Sequence, residues 1–153
     1  MTTPRYLVDA NVLLRFFTGE PPLLFGAAKT LIEKAERGGV TLDVPALVVA
    51  EASFTLESFY KQERKEVARV LIEFFKTPGI RLLERDRVLG ALGSVRTTGV
   101  HFVDAYLATL AREAGVKIVE DLYGDSLGKP GSGADTVEGM WLANARKIAE
   151  ALR

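Results

Sequence analysis

The stretch Tyr6-Leu7-Val8-Asp9-Ala10-Asn11-Val12-Leu13-Leu14 is apolar on both sides of a single carboxylate. A charge among core-forming residues costs several kcal/mol unless it is solvated, paired or bound to a metal. If a strand ends at Asp9, its carboxylate lies at the carboxyl edge of a sheet, where open α/β folds bind their ligands. The stretch therefore predicts a strand followed by a helix, with Asp9 as a candidate site residue between them.

The rest of the chain alternates short apolar runs with runs of helical periodicity. The predicted strands are Tyr6–Val8, Val40–Val44, Ile80–Leu83, Val116–Val119 and Met140–Ala143. The predicted helices are Asn11–Phe17, Leu23–Glu36, Ala46–Tyr60, Lys65–Lys76, Asp86–Val95 and Phe102–Ala114. This alternation predicts an α/β fold in which helices cover both faces of a mainly parallel sheet.

Length and composition narrow the possible classes of protein. The 153 residues fit a single domain over 1–153. With no cysteine and one histidine, the chain has no disulfides and lacks the ligands of most zinc sites, so oxygen atoms must hold any metal.

The formal charge of zero means that a nucleic-acid partner needs a local basic patch. No apolar run approaches the roughly 20 residues of a membrane span, and the start lacks a signal-peptide pattern, which predicts a cytoplasmic protein.

Three further acids interrupt apolar segments in the same way. Glu51 lies in the first turns of a predicted helix whose other residues there are apolar. Asp104 likewise interrupts apolar residues near the start of the predicted helix Phe102–Ala114. Asp121 follows the predicted strand Val116–Val119. Helices that follow parallel strands begin at the carboxyl edge of the sheet. We therefore expect these three acids to converge with Asp9 at one edge.

A cluster of carboxylates is unfavourable unless a divalent cation offsets the repulsion. Oxygen ligands favour Mg²⁺ or Mn²⁺. Such a site suits phosphodiester hydrolysis, because the cation activates water and polarises the phosphoryl oxygen. Asn11, two residues after Asp9, is positioned to orient the Asp9 carboxylate as a neutral neighbour.

Each acid, taken singly, also has a structural explanation. Asp9 and Asp104 suit helix caps, and Glu51 suits an ion pair with Lys or Arg. His101, one helical turn before Asp104, is interpreted as a local hydrogen-bonding residue without a catalytic role.

Basic residues give weaker signals. Lys61, Arg64 and Lys65 form the densest cluster and are candidates for holding phosphates, although Glu63 and Glu66 dilute it and a solvated helix face is the default interpretation. Weaker phosphate candidates are Arg15, Arg96 and Lys129.

With these motifs in place, the sequence resembles the PIN-domain nucleases, and in particular the VapC-type toxins of toxin-antitoxin pairs. The family's Asp-x-Asn at the end of its first strand is matched by Asp9-Ala10-Asn11, and its glutamate after the second strand by Glu51. Its third acid heads an Ala-rich helix, as in Asp104-Ala105-Tyr106-Leu107-Ala108. The fourth acid follows the next strand, where Asp121 is preferred and Glu120 and Asp125 remain open.

The resemblance implies a three-layer α/β/α sandwich with a five-stranded, mainly parallel sheet, in which 137–144 form the last edge strand. It further implies a metal-dependent endoribonuclease that uses Mg²⁺ or Mn²⁺, with Asp9, Glu51, Asp104 and Asp121 as metal ligands and Asn11 beside them. RNA as substrate, a homodimer and inhibition by a small antitoxin protein follow from the same resemblance.

Two other functions remain as alternatives. The first is a catalytically silent PIN-like module that binds protein or RNA. The second, a small α/β phosphohydrolase or nucleotide binder, is disfavoured, because no glycine-rich phosphate loop follows the first strand and no second aspartate stands two residues after Asp9.

Overall fold

The computed structural model describes residues 3–119, 122–124 and 126–152. The chain forms two compact units, residues 1–110 and 111–153. The single domain expected over 1–153 stays a prediction. Among the described residues, no helix is long and apolar enough to cross a membrane.

The first unit is built on three parallel strands in the order β1-β2-β3. These strands are β1 (Arg5–Leu7), β2 (Thr41–Val44) and β3 (Ile80–Leu82). The helices between and after them are α1 (Ala10–Thr18), α2 (Pro22–Glu36), α3 (Ala46–Ser58), α4 (Arg64–Phe74), α5 (Arg85–Thr98) and the start of α6 (Phe102–Ala114). In the register, Leu42 lies opposite both Tyr6 and Ile80. The α/β class and the parallel pairing are confirmed.

Burial is concentrated on the central strand and the helices around it. Leu42 and Val44 of β2 are almost fully buried. The helix α2 packs against β2 and β3, α1 contacts α2 and α3, and α4 contacts α3 and α5. Because the strands are parallel, their carboxyl ends share one edge of the sheet, and α1, α3 and α5 follow β1, β2 and β3 from that edge.

One buried carboxylate ties the three strands together. Asp43 is buried on β2 and accepts hydrogen bonds from Arg5 Nη2 of β1 at 2.6 Å and from Arg81 Nε and Nη2 of β3 at 2.7 Å. A buried carboxylate is stable when its oxygens are paired in this way. The Asp43 cluster therefore acts across the sheet as a structural cross-link.

The expected five-stranded sheet is wrong for the described residues, which form a three-stranded sheet. The segment Val116–Val119 is not a strand. The left-handed Gly115 (φ 64°) ends α6, and the Val116 N–H donates back to the Ala111 carbonyl at 3.0 Å. This is a helix-terminating arrangement. The Val116 N–H is therefore bonded to the end of α6 and not to a neighbouring strand.

The strand expected at Met140–Ala143, within the implied edge strand 137–144, is also wrong. These residues lie inside α7 (Val137–Ala151) in the second unit. Thr136 caps this helix, since its side-chain oxygen accepts from the Gly139 N–H at 3.0 Å. The capped start stabilises a helix that continues through Met140–Ala143 without interruption.

The other predicted elements are present, and their ends differ by at most three residues. The largest difference is in α5, which continues to Thr98 because the left-handed Gly99 provides its end. The helix α6 has the predicted bounds, Phe102–Ala114.

Candidate metal centre

Asp9 lies between β1 and α1, as the sequence predicts. It is the N-cap of α1, and its Oδ1 accepts from the Val12 N–H at 3.2 Å. Its Oδ2 accepts from Asn11 Nδ2 at 3.4 Å, a long contact. The capping explanation of Asp9 is therefore correct, and the same contacts hold an exposed carboxylate in one orientation with Asn11 beside it.

Glu51 and Asp104 are exposed acids close to buried residues of their helices. Glu51 stands beside Ala52, which is fully buried, and Asp104 stands between the buried Phe102 and Ala105. The carboxylate of neither residue makes a hydrogen bond or ion pair with a residue that the structure describes. The ion-pair explanation of Glu51 is not seen there, and the oxygens of both acids are available to a ligand.

The donor chemistry of these acids suits Mg²⁺ or Mn²⁺, since all their ligand atoms are oxygen. However, within residues 3–119, 122–124 and 126–152, no group of three or more Asp, Glu or His side chains is close enough to hold a metal ion. The described structure therefore does not bring Asp9, Glu51 and Asp104 together as a group of three, and their role as metal ligands stays a prediction. Mg²⁺ often uses only one or two carboxylates together with waters and substrate phosphate, and the residues present fit that kind of site.

The fourth acid lies outside the described residues. This holds for Asp121 and for both alternatives, Glu120 and Asp125.

Glu84 is an acid at the same sheet edge that the sequence interpretation missed. It follows β3 as Asp9 follows β1, and its backbone is left-handed (φ 51°), which is uncommon for a residue other than glycine. With Phe102, Val103 and Tyr106 it helps line a cleft of about 340 Å³ between α3 and α6. The signal that marked Asp9, an acid just after an apolar strand, is also present in Leu82-Leu83-Glu84.

Tyr106 engages the Glu84 carboxylate directly. Its Oη donates to Glu84 Oε2 at 2.7 Å, and this hydrogen bond, followed by that of Arg87, holds the pKa of Glu84 below its usual range. The same bond raises the pKa of Tyr106. Glu84 therefore stays ionised next to the α3–α6 cleft.

Arg64 is unsuited to the phosphate-holding role that the basic cluster suggested. Its Nε donates to Glu57 Oε2 at 2.7 Å, its Nη1 to the Gly99 carbonyl at 2.6 Å, and its Nη2 to His101 Nε2 at 2.8 Å. Because arginine only donates, His101 Nε2 accepts in this contact. His101 is thus a local hydrogen-bonding residue, as predicted.

A second cleft adjoins the candidate metal centre. It lies between α1 and α2, measures about 470 Å³, and is lined by Asn11, Arg15 and aliphatic residues of α2. Asn11 therefore belongs both to the Asp9 pair and to this cleft.

Comparison with curated proteins and with solved structures gives no match. The family model of the PIN domain matches residues 6–121, which is more than half of the chain and includes Asp9, Glu51, Asp104 and Asp121. PIN domains are generally nucleases and usually use divalent metals. The family match, over a parallel sheet with Asp9 and Asn11 in contact after its first strand, leads to one conclusion: the chain belongs to the PIN domain family.

Proposed function

We propose that this protein is a metal-dependent endoribonuclease that hydrolyses RNA phosphodiester bonds. Asp9, Glu51, Asp104 and Asp121 are its proposed Mg²⁺ or Mn²⁺ ligands, with Asn11 as their orienting neighbour. The observation that carries the proposal is the PIN family match over 6–121, a range that contains all five residues.

The described side chains suggest a division of roles. Val12 N–H and Asn11 Nδ2 each hold one oxygen of Asp9, so its carboxylate is oriented before a ligand arrives. The unpaired oxygens of Glu51 and Asp104 are suited to bind the cation, or to take a proton from the attacking water. When bound, the divalent cation supplies Lewis-acid polarisation of the scissile phosphate and activation of that water.

The test is cleavage of a single-stranded RNA by the Asp9→Asn variant in the presence of Mn²⁺. Asparagine is as good an N-cap as aspartate, so the fold of α1 should be kept while the charge is lost. We expect Mn²⁺-stimulated cleavage to be abolished, and the matched variant Asp86→Asn, which neutralises an exposed acid in the first turn of α5, to cleave like the wild type. Undiminished cleavage by Asp9→Asn would contradict the proposed site.

For the biological role we propose the toxin of a toxin-antitoxin pair that acts in the cytoplasm as a homodimer. A small antitoxin protein is the proposed inhibitor. The check is the neighbouring reading frame: a short gene for a DNA-binding protein whose product blocks RNA cleavage supports this role. Light scattering of the purified protein tests the dimer, and a monomer at micromolar concentration contradicts it.

A catalytically silent PIN-like module is the second candidate. It is favoured by one observation, that the described residues contain no group of three metal-binding side chains. Calorimetric titration with Mn²⁺ discriminates between the two. Binding that Asp9→Asn weakens supports the nuclease, and no binding in the millimolar range, with all carboxylates intact, supports the silent module.

A further inference from the structure

The cleft between α1 and α2 combines a positively charged arginine, Arg15, with an aliphatic wall. Arg15 stands one helical turn after Asn11, which places their Cβ atoms about 5–6 Å apart. Across the cleft, α2 contributes Leu24, Ala27 and Leu31. The volume, about 470 Å³, is within the roughly 300–1,000 Å³ of small-molecule sites. The cleft has room for one unstacked nucleotide.

Arg15 is available to an anion. Its Nη1 donates to the Glu20 carbonyl at 3.3 Å, and it has no ion pair within the described parts of the chain. Five of the other eight arginines of the first unit are paired with carboxylates, namely Arg5, Arg64, Arg69, Arg81 and Arg87. A guanidinium with free donors at the mouth of a cleft is suited to bidentate binding of a phosphate.

We infer that this cleft is a subsite for single-stranded RNA, in which Arg15 binds the phosphate adjacent to the one at Asp9. The aliphatic side chains of Leu24 and Leu31 contact the ribose or base of the same nucleotide. The inference rests on the proposed nuclease function and assigns the part of the substrate that lies beside the cut. Single strands are the substrate class because a base must leave its stack to enter a cleft between two helices.

The position of the Arg15 guanidinium relative to the carboxylate of Asp9 favours RNA over an apolar peptide segment as the ligand. Asn11 contacts Asp9 and lines the cleft, so a ligand in the cleft is continuous with the candidate metal centre. Arg15 follows Asp9 by six residues, a rise of about 9 Å along α1. For an RNA strand with one phosphate at Asp9, the long Arg15 side chain extends towards the next phosphate. A peptide would use the aliphatic wall and leave Arg15 without a partner.

The experiment measures binding of a fluorescein-labelled, mixed-sequence single-stranded RNA by anisotropy, in EDTA and at 50–200 mM salt. We expect Arg15→Gln to weaken binding about tenfold and to reduce the slope of log K against log salt by about 0.7, since one phosphate contact is lost. Arg15→Lys should keep the slope while losing part of the affinity, because lysine retains the charge without the bidentate geometry.

Two further variants make the test specific to the cleft. Ala27→Glu, at an exposed position of α2 that lines it, should weaken RNA binding by placing a carboxylate beside Arg15. Arg69→Gln removes the same charge from α4, where the side chain pairs with Glu66, and should bind RNA like the wild type. Unfolding midpoints are measured for all variants, and a binding loss counts only where the midpoint is kept.

The outcomes separate the subsite from the proposed function. Unchanged binding by Arg15→Gln and Ala27→Glu, or an equal loss in Arg69→Gln, overturns the subsite, as does a wild type that does not bind RNA. Mn²⁺-stimulated cleavage by the wild type is measured in parallel. A wild type that binds RNA through Arg15 but does not cleave it supports the subsite and contradicts the nuclease.

Discussion

Arg64 Nε donates to Glu57 Oε2 at 2.7 Å, and this contact joins the start of α4 to the end of α3. The Glu57 side chain is only 12% exposed. Through its other donors, Arg64 also binds the Gly99 carbonyl and His101, just before α6. One side chain therefore ties the helix that carries Glu51 to the start of the helix that carries Asp104.

Arg64→Met is expected to destabilise the protein by about 1–3 kcal/mol, because it leaves the largely buried Glu57 carboxylate and the Gly99 carbonyl without their donor. Urea unfolding measures the loss. The matched variant Arg69→Met removes an exposed arginine from the same helix and should leave the urea midpoint close to that of the wild type. Equal losses in the two variants would contradict the structural role of Arg64.

Asp43→Asn should also destabilise the protein, by about 1–3 kcal/mol. The substitution keeps the shape of the side chain but removes the charge shared by Arg5 and Arg81. Solvent screens part of this interaction, because both arginines are about half exposed. Its control is Glu33→Gln, which neutralises an exposed partner of Lys29 at 3.9 Å. A urea midpoint for Asp43→Asn that equals that of Glu33→Gln would show that the cross-strand cluster is not stabilising.

Tyr106→Phe is expected to change the pH dependence of stability. The folded state lowers the pKa of Glu84, so this carboxylate stabilises the protein above the ordinary glutamate pKa of about 4.3, and the contribution is lost as pH falls through the lowered value. The raised pKa of Tyr106 means that the tyrosine's contribution is present below about pH 10 and is lost as pH rises through the raised value.

The difference in urea midpoint between wild type and Tyr106→Phe should therefore be present at pH 7 and shrink towards pH 3. Tyr60→Phe is the control, since no hydrogen bond of its hydroxyl is found among the described residues. A gap for Tyr106→Phe that is constant from pH 7 to pH 3 would mean that its bond to Glu84 does not stabilise the folded state.

Asn11→Ala tests the neighbour of Asp9. Residues that orient a metal ligand typically contribute 10–100-fold to metal affinity or activity, so we expect a loss of this size in Mn²⁺ affinity by calorimetry and in RNA cleavage. The Asp9 cap on Val12 N–H is retained, so the free energy of unfolding should stay within about 0.5 kcal/mol of the wild-type value. Affinity and cleavage within twofold of the wild type would exclude an orienting role for Asn11.

Features that depend on neighbouring residues could be predicted from the sequence alone. The helical period before Gly115 predicts α6 with its observed bounds, and the acid after an apolar run identifies Asp9 as the residue between β1 and α1. Helix periods, caps and glycine ends are local, because their hydrogen bonds join residues within about five positions. Asn11 contacts Asp9 for the same reason, at a separation of two.

The contacts between distant residues and the number of strands became visible only in the folded structure. Asp43 meets Arg5 and Arg81 across 38 positions, and Arg64 meets His101 across 37. A strand exists only where a partner supplies its ladder, so an apolar run such as Val116–Val119 does not specify one. Whether Arg15 is paired or free depends likewise on which carboxylates the fold brings to it, and the sequence alone does not contain that information.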